Sequence, residues 1–116
     1  MTQRSPITTH VLDLSRGCPA SQVAVTLDRK MPSGDWSPLA DATTDEDGRV
    51  ADLLQSGSLK AGRYRLTFAT GDYYQAQGVE TFYPSVSVEF EVTATDQHYH
   101  VPLLVSPFGY STYRGS

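Results

Sequence analysis

The sequence predicts an all-β fold, an antiparallel β-sandwich of seven to eight short strands with one short helix. Apolar residues alternate with polar ones over short runs, which is the period of a half-buried strand. Clusters of Gly, Pro, Asp and Ser separate the runs at short intervals, which is the chemistry of turns. A chain of 116 residues with 39% hydrophobic side chains fills one core and no second, so residues 1–116 are expected to form a single domain.

The first run, Thr9 to Leu14, puts His10, Leu12 and Leu14 on one face, and Ser15-Arg16-Gly17-Cys18-Pro19 ends it as a turn. Gln22 to Leu27 sets Val23, Val25 and Leu27 against Ala24 and Thr26, and Met31-Pro32-Ser33-Gly34-Asp35 closes it. Trp36 to Thr44 reads as a third strand interrupted by Pro38, which lacks an N–H for the ladder and so requires an edge position or a bulge. In Asp45-Glu46-Asp47-Gly48, Asp bonds its own backbone and Gly permits positive φ, so the turn delivers the chain into Arg49-Val50-Ala51. Gly57 and Gly62 mark the next loop, after which Arg63 to Thr70 places Tyr64, Leu66 and Phe68 on one side. Gly71 to Gly78 is the one helix expected, with Asp72 as its N-cap and Gly78 as its terminator. Val86, Val88, Phe90 and Val92 alternate strictly. His98 to Val105, a Ser106-Pro107 break and Phe108 to Tyr113 then read as two strands joined by a tight turn.

Thirteen acidic residues against nine basic ones give a net charge of −4 with no dense block of Lys or Arg, which argues against nucleic acid and acidic membrane surfaces as partners. The single cysteine, Cys18, closes no intrachain disulfide and holds no zinc by itself. Met1 to His10 contains no apolar run and nowhere do eighteen apolar residues follow one another, so a cytoplasmic protein is expected.

All three histidines fall in strand-like segments. His98 and His100, two residues apart, project from one face with Pro102 and Leu104, while Tyr99, Val101, Leu103 and Val105 form the opposite, core face. The histidine face therefore looks outward, yet it carries apolar companions that a solvated face has little reason to hold. An interface or a pocket accounts for the mixture. The plainer alternative for each imidazole is a hydrogen-bonded side chain without a role. His-x-His also suits zinc or copper, but the carboxylates nearby are only Asp96 and Asp13, and Asp13 points away from His10 by parity, so no metal is expected. Asp45-x-Asp47-Gly48 resembles the start of a calcium loop without the Glu that would complete it. No Gly-x-Ser-x-Gly elbow occurs. Arg49 is either a solvated strand-start residue or a fixed cation for a carbonyl-rich or anionic ligand.

Two stretches go beyond periodicity: His10-Val11-Leu12-Asp13-x-x-x-Gly17-x-Pro19-Ala20-x-x-Val23-x-Val25, and His98 to Ser116 with its His-Val-Pro and its terminal Tyr113-Arg114-Gly115-Ser116. Both resemble the transthyretin family, and Thr44-Asp45-x-Asp47-Gly48-Arg49 and Gly71-Asp72-Tyr73 match it in order and spacing. Histidine at positions 10 and 100 resembles the branch that hydrolyses 5-hydroxyisourate in urate breakdown; the hormone carriers have lysine and threonine there. The resemblance implies a transthyretin-like sandwich assembled as a homotetramer, a dimer of dimers enclosing a channel that His10, His100, Ser111 and Tyr113 face. It implies opening of the substrate's lactam by water, with no cofactor, no metal and no covalent intermediate. His10 and His100 would share the acid–base work, since imidazole titrates near neutral pH. Arg49 would hold the substrate carbonyls and the developing oxyanion, and Tyr113 would add a hydrogen bond. Ser116 would bring its hydroxyl and the α-carboxylate into the channel, with His98 at the channel mouth. The rival reading is a transthyretin-like module that binds a small ligand without turning it over.

Overall fold

In the computed structural model, which describes residues 5–116, the alternating runs become nine strands and one helix. These are β1 (Ile7–Asp13), β2 (Cys18–Pro19), β3 (Ala24–Lys30), β4 (Trp36–Thr43), β5 (Arg49–Val50), β6 (Gly62–Phe68), α1 (Thr70–Gln75), β7 (Val86–Val92), β8 (Tyr99–Ser106) and β9 (Gly109–Thr112). They form two sheets, β2-β1-β8-β9 with β5 also on β1, and β4-β3-β6-β7. Their inner faces carry the residues that alternation assigns to the core: Val25, Leu27, Leu66, Phe68 and Leu103 are wholly buried, and Tyr99 and Val105 nearly so. Each such side chain contributes roughly 1.5–3 kcal/mol on leaving water, so the one-face pattern determines which way every strand turns.

The sandwich and its short helix agree with the sequence reading, and the differences are local. β1 and β8 run parallel over seven residue pairs, from Ile7↔Tyr99 to Asp13↔Val105, whereas the other strand pairs are antiparallel. Alternation is blind to direction, because side chains at i and i+2 share a face whichever way the neighbour runs. The segment read as a plain turn after β1 returns as β2, pairing Leu12↔Pro19 and Asp13↔Cys18. Pro19 is tolerated there because β2 lies at the sheet's edge. Pro38 also lies on an edge strand, β4, and beside a register shift, since Leu27 pairs with Ala40 but Asp28 with Pro38. Both devices expected of that proline are present. Helix α1 begins at Thr70 with Ala69 at its cap position and no side-chain cap bond, so Asp72 sits in the first turn rather than before it. A carboxylate there still faces the positive helix end. Burial of Tyr73 and Tyr74 anchors this helix. Among the described residues no helix is long and apolar enough to cross a membrane.

Candidate active site

β1 is the strand on which the site is built. Its inward face, Ile7, Thr9, Val11 and Asp13, is buried, and its outward face holds Thr8, His10 and Leu12 half-buried. Leu14 falls past the strand end and is exposed. The parallel register sets Thr8 beside His100 and His10 beside Pro102, so the outward face of β8 continues that of β1. On the other flank β5 pairs His10 with Arg49. Three segments remote in sequence thereby bring two imidazoles and a guanidinium to one surface.

Arg49 arrives there through the Asp45–Gly48 turn. Asp45 Oδ1 accepts hydrogen bonds from the backbone N–H of Asp47 and of Arg49, each at 2.9 Å, which is the self-capping expected of Asp in a turn. Gly48 adopts φ +75°, and a Cβ on it would lie 2.3 Å from the Val11 carbonyl oxygen, so only glycine fits against β1. The same turn presents the Asp47 carbonyl to His10, whose Nε2 lies 2.8 Å away. A carbonyl only accepts, so Nε2 carries the proton and neutral His10 has its lone pair on Nδ1.

The chain's last residues fold back over β8. Gly115 N–H donates to the His100 carbonyl at 2.8 Å, forming an isolated bridge beyond β9. The Arg114 guanidinium lies 4.4 Å from the Tyr99 ring centroid and donates to Gln97 Oε1 at 3.0 Å. A Cβ at Gly115 would come within 2.6 Å of His100 Cδ2, so the missing side chain lets the tail lie directly on the imidazole. Ser116 is thereby delivered into a cleft of about 240 Å3 lined also by Thr8, Arg49, His98 and His100. This is smaller than the roughly 300–1,000 Å3 of drug-sized sites, as suits a compact ligand.

His100 is held below the ordinary imidazole value of 6.5, first by burial and then by the positive charge of Arg49, with His98 and His10 adding to it; a backbone hydrogen bond at Thr8 opposes them. His100 is therefore neutral, and so able to accept a proton, at neutral pH. The ion pairs among the described residues are Arg63–Glu91 and Arg65–Asp28, neither of them in the cleft. Neither pair involves Arg49, which brings a fixed positive charge with planar donors to the cleft that Ser116 shares. No group of three or more His, Cys, Asp or Glu side chains suited to a metal ion occurs among the described residues.

Of the residues singled out from sequence, Arg49, His100 and Ser116 line this one cleft, with His10 beside Arg49 on the same face. Tyr113 does not line it. It borders a second hollow of about 210 Å3 with Val88, Phe90, Tyr99 and Thr112, which His100 also touches. His98, expected at the channel mouth, also lines this cleft. Thr8 was not legible as a site residue: a threonine near a strand start carries no chemical signal until its neighbours are known.

The family model described as HIUase/Transthyretin family matches residues 7–115. A mouse protein named 5-hydroxyisourate hydrolase is 46% identical over 116 residues, covering 99% of this chain and 98% of its own. One of the same name from Ralstonia nicotianae is 48% identical over 115 residues, covering 95% of this chain and 97% of its own. Among solved structures, sea bream transthyretin in complex with thyroxine superposes with a TM-score of 0.91 at 33% identity, over 96% of this chain and 95% of its own. On the match of nearly its whole length, this chain belongs to the HIUase/transthyretin family.

Proposed function

We propose that this chain hydrolyses 5-hydroxyisourate, opening the lactam to give 2-oxo-4-hydroxy-4-carboxy-5-ureidoimidazoline. The observation that carries this reading is the cleft itself. It holds a neutral imidazole, His100, and a fixed cation, Arg49, together with Ser116. A carrier needs apolar walls but no general base. The relatives named as hydrolases are 44–48% identical, and the sea bream hormone-binding structure is 33% identical, which supports the same side.

In this reading His100 takes a proton from the attacking water, whose oxygen bonds to the lactam carbonyl carbon. The carbonyl oxygen becomes an oxyanion, which Arg49 stabilises; one such donor is worth roughly 3 kcal/mol. The carbon–nitrogen bond then breaks and the nitrogen regains the proton from the imidazoles. His10, its Nε2–H fixed on the Asp47 carbonyl, presents Nδ1 as an acceptor that orients water or substrate. Ser116 supplies a hydroxyl at the cleft wall. Tyr113, whose side chain borders the neighbouring hollow, joins the site through assembly rather than within one chain.

Assembly as a homotetramer, a dimer of dimers, is part of the proposal. β7 and β9 are the outer strands of their sheets, so each leaves one row of backbone N–H and C=O unpaired within the chain. Leu14, Phe108 and Tyr110 are 60%, 66% and 43% exposed in the single chain, which is costly unless another copy covers them. Light scattering should give a mass near four times the 12.7 kDa chain; an active monomer would contradict a shared channel.

The test of activity is direct. Purified protein added to urate under oxidation by urate oxidase should accelerate the loss of 5-hydroxyisourate absorbance, with a chelator present and no added metal. Decay at the uncatalysed rate would replace the hydrolase by the small-ligand binding module.

A further inference from the structure

The hydroxyl of Thr8 lies between two imidazoles: Oγ1 is 2.9 Å from His98 Nε2 and 2.8 Å from His100 Nδ1. A hydroxyl has one proton to give, so it cannot donate to both rings, and at least one ring nitrogen must donate to it. The two rings lie nearly parallel, 16° between planes and 6.4 Å between centroids. Thr8 pairs with His100 in the parallel β1–β8 ladder, which makes the spacing a property of the sheet rather than of a loop. All three side chains line the cleft that holds Arg49 and Ser116.

We propose that Thr8 is a positioning residue that accepts Nδ1–H of His100, leaving Nε2 as the basic nitrogen, and links His100 to His98 as a proton relay. This rests on the hydrolase reading. The step balances without a further reactant. His100 Nε2 takes a proton from water as the water oxygen bonds to carbon. The Nδ1 proton of His100 passes to Thr8 Oγ1 while the Thr8 hydroxyl proton passes to His98 Nε2. His100 ends neutral with its proton on Nε2, Thr8 keeps one proton, and the positive charge rests on His98. Reversal of the same chain returns the proton to the departing nitrogen.

The chemistry favours such a device. Arg49 on β5, His98 and His10 on β1 are the charges that lower the His100 pKa, while Ser116 shares its cleft and Glu89, Glu91, Tyr113 and Arg114 share the hollow it also borders; the positive field of Arg49 disfavours a second positive charge on His100. A hydroxyl that passes a proton onward spreads that charge over two rings, and one that only accepts still fixes the tautomer, as the third member of a catalytic triad does.

Thr8→Val removes the hydroxyl and keeps the branched shape; Thr8→Ser restores the hydroxyl. The Val variant should lose roughly 100-fold in kcat, the lower part of what a general base contributes, with KM little changed, and the Ser variant should recover most of it. Equal loss in both variants would mark a packing effect and overturn the proposal, as would full activity in Thr8→Val. His98→Asn should cost about as much as Thr8→Val and add nothing on top of it, whereas additive losses would break the relay. Ring nitrogen NMR of the wild-type protein reads the assignment without turnover: His100 should carry its proton on Nδ1 at neutral pH, and Thr8→Val should change that balance. An Nε2–H tautomer in the wild type would overturn the proposal while leaving the hydrolase standing. The expected tautomer in a protein that shows no turnover would sink the hydrolase reading instead.

Discussion

Asp13 and His10 stand three residues apart on β1 and on opposite faces, and their surroundings differ in one respect that decides what each can do. Asp13 is 1% exposed, and its carboxylate accepts four hydrogen bonds: from Ser15 N–H at 3.0 Å, Ser15 Oγ at 2.6 Å, Tyr73 OH at 2.8 Å and Tyr74 OH at 3.1 Å. A carboxylate offers about four lone-pair sites, so this one is saturated. Burial raises its pKa, yet those bonds outweigh burial and hold it below 3.8. Across the strand, His10 is half-buried, with Nε2 engaged by a carbonyl and Nδ1 left with its lone pair. A saturated polar group joins β1 to helix α1. A half-saturated one keeps capacity for a substrate. The same strand therefore carries a structural polar cluster and a chemical one, separated only by the parity of its residues.

Substitution on the outward face should cost turnover and spare the fold. Replacing His100 by Asn keeps polarity and approximate size but removes the base, and replacing His10 by Asn removes the acceptor that orients water or substrate; each should lower kcat, His100→Asn by about 10²–10⁴-fold, with the melting temperature nearly unchanged. Unfolding by either variant would erase the distinction between the faces. Arg49→Gln should cost about 10²–10³-fold, as loss of an oxyanion donor does. It also sharpens the electrostatic reading, because removing that charge lets the His100 pKa rise. Wild-type activity should persist on the acid side to a pH below 6.5, and the acid limb of the pH–rate profile should move up in Arg49→Gln. An unmoved limb would mean that Arg49 does not act on His100.

The inward face should behave in the opposite way. Asp13→Ala leaves two buried tyrosine hydroxyls without their acceptor and should destabilise the chain by about 3 kcal/mol, measured by denaturant unfolding. Any fully folded Asp13→Ala fraction should keep near-normal KM. In the native protein the contribution of Asp13 is present above pH 3.8 and fades as pH falls through its depressed folded-state value, so acid unfolding should be less steep in the variant. The smallest change is Gly115→Ala. Its methyl would meet His100 Cδ2 at 2.6 Å, so the ring or the tail must shift, with a loss of up to about 100-fold in kcat and no change in stability beyond a few tenths of a kcal/mol. Unaltered kinetics would show that the tail does not bear on the imidazole.

Much of the fold was legible because it rests on local regularities. Val23, Val25 and Leu27 alternate with Ala24 and Thr26, Tyr64, Leu66 and Phe68 with Arg65 and Thr67, and each triplet is buried. Turn chemistry worked at Asp45–Gly48 because an Asp side chain and a positive-φ glycine act within four residues. It was less informative at the start of α1, where Asp72 resembled a cap although the helix takes its hold from buried tyrosines. The direction of β8 relative to β1 was not legible, since the inward and outward sets are the same in either direction.

The sequence by itself determined the two-sheet class, the faces of the strands, and the presence of imidazole, guanidinium and hydroxyl groups on outward positions, because a strand's period of two is written residue by residue. Tertiary structure alone decided which of those groups meet. Thr8 reaches His98 and His100 across 90 and 92 residues of chain, and Tyr113 lies beside a different hollow from Ser116 only three positions later. The physical reason is that parity is a local property of the backbone, whereas register is set by burying the inner faces of distant strands together. One residue of slip between β1 and β8 would leave each strand's own alternation intact and separate the Thr8 hydroxyl from both rings.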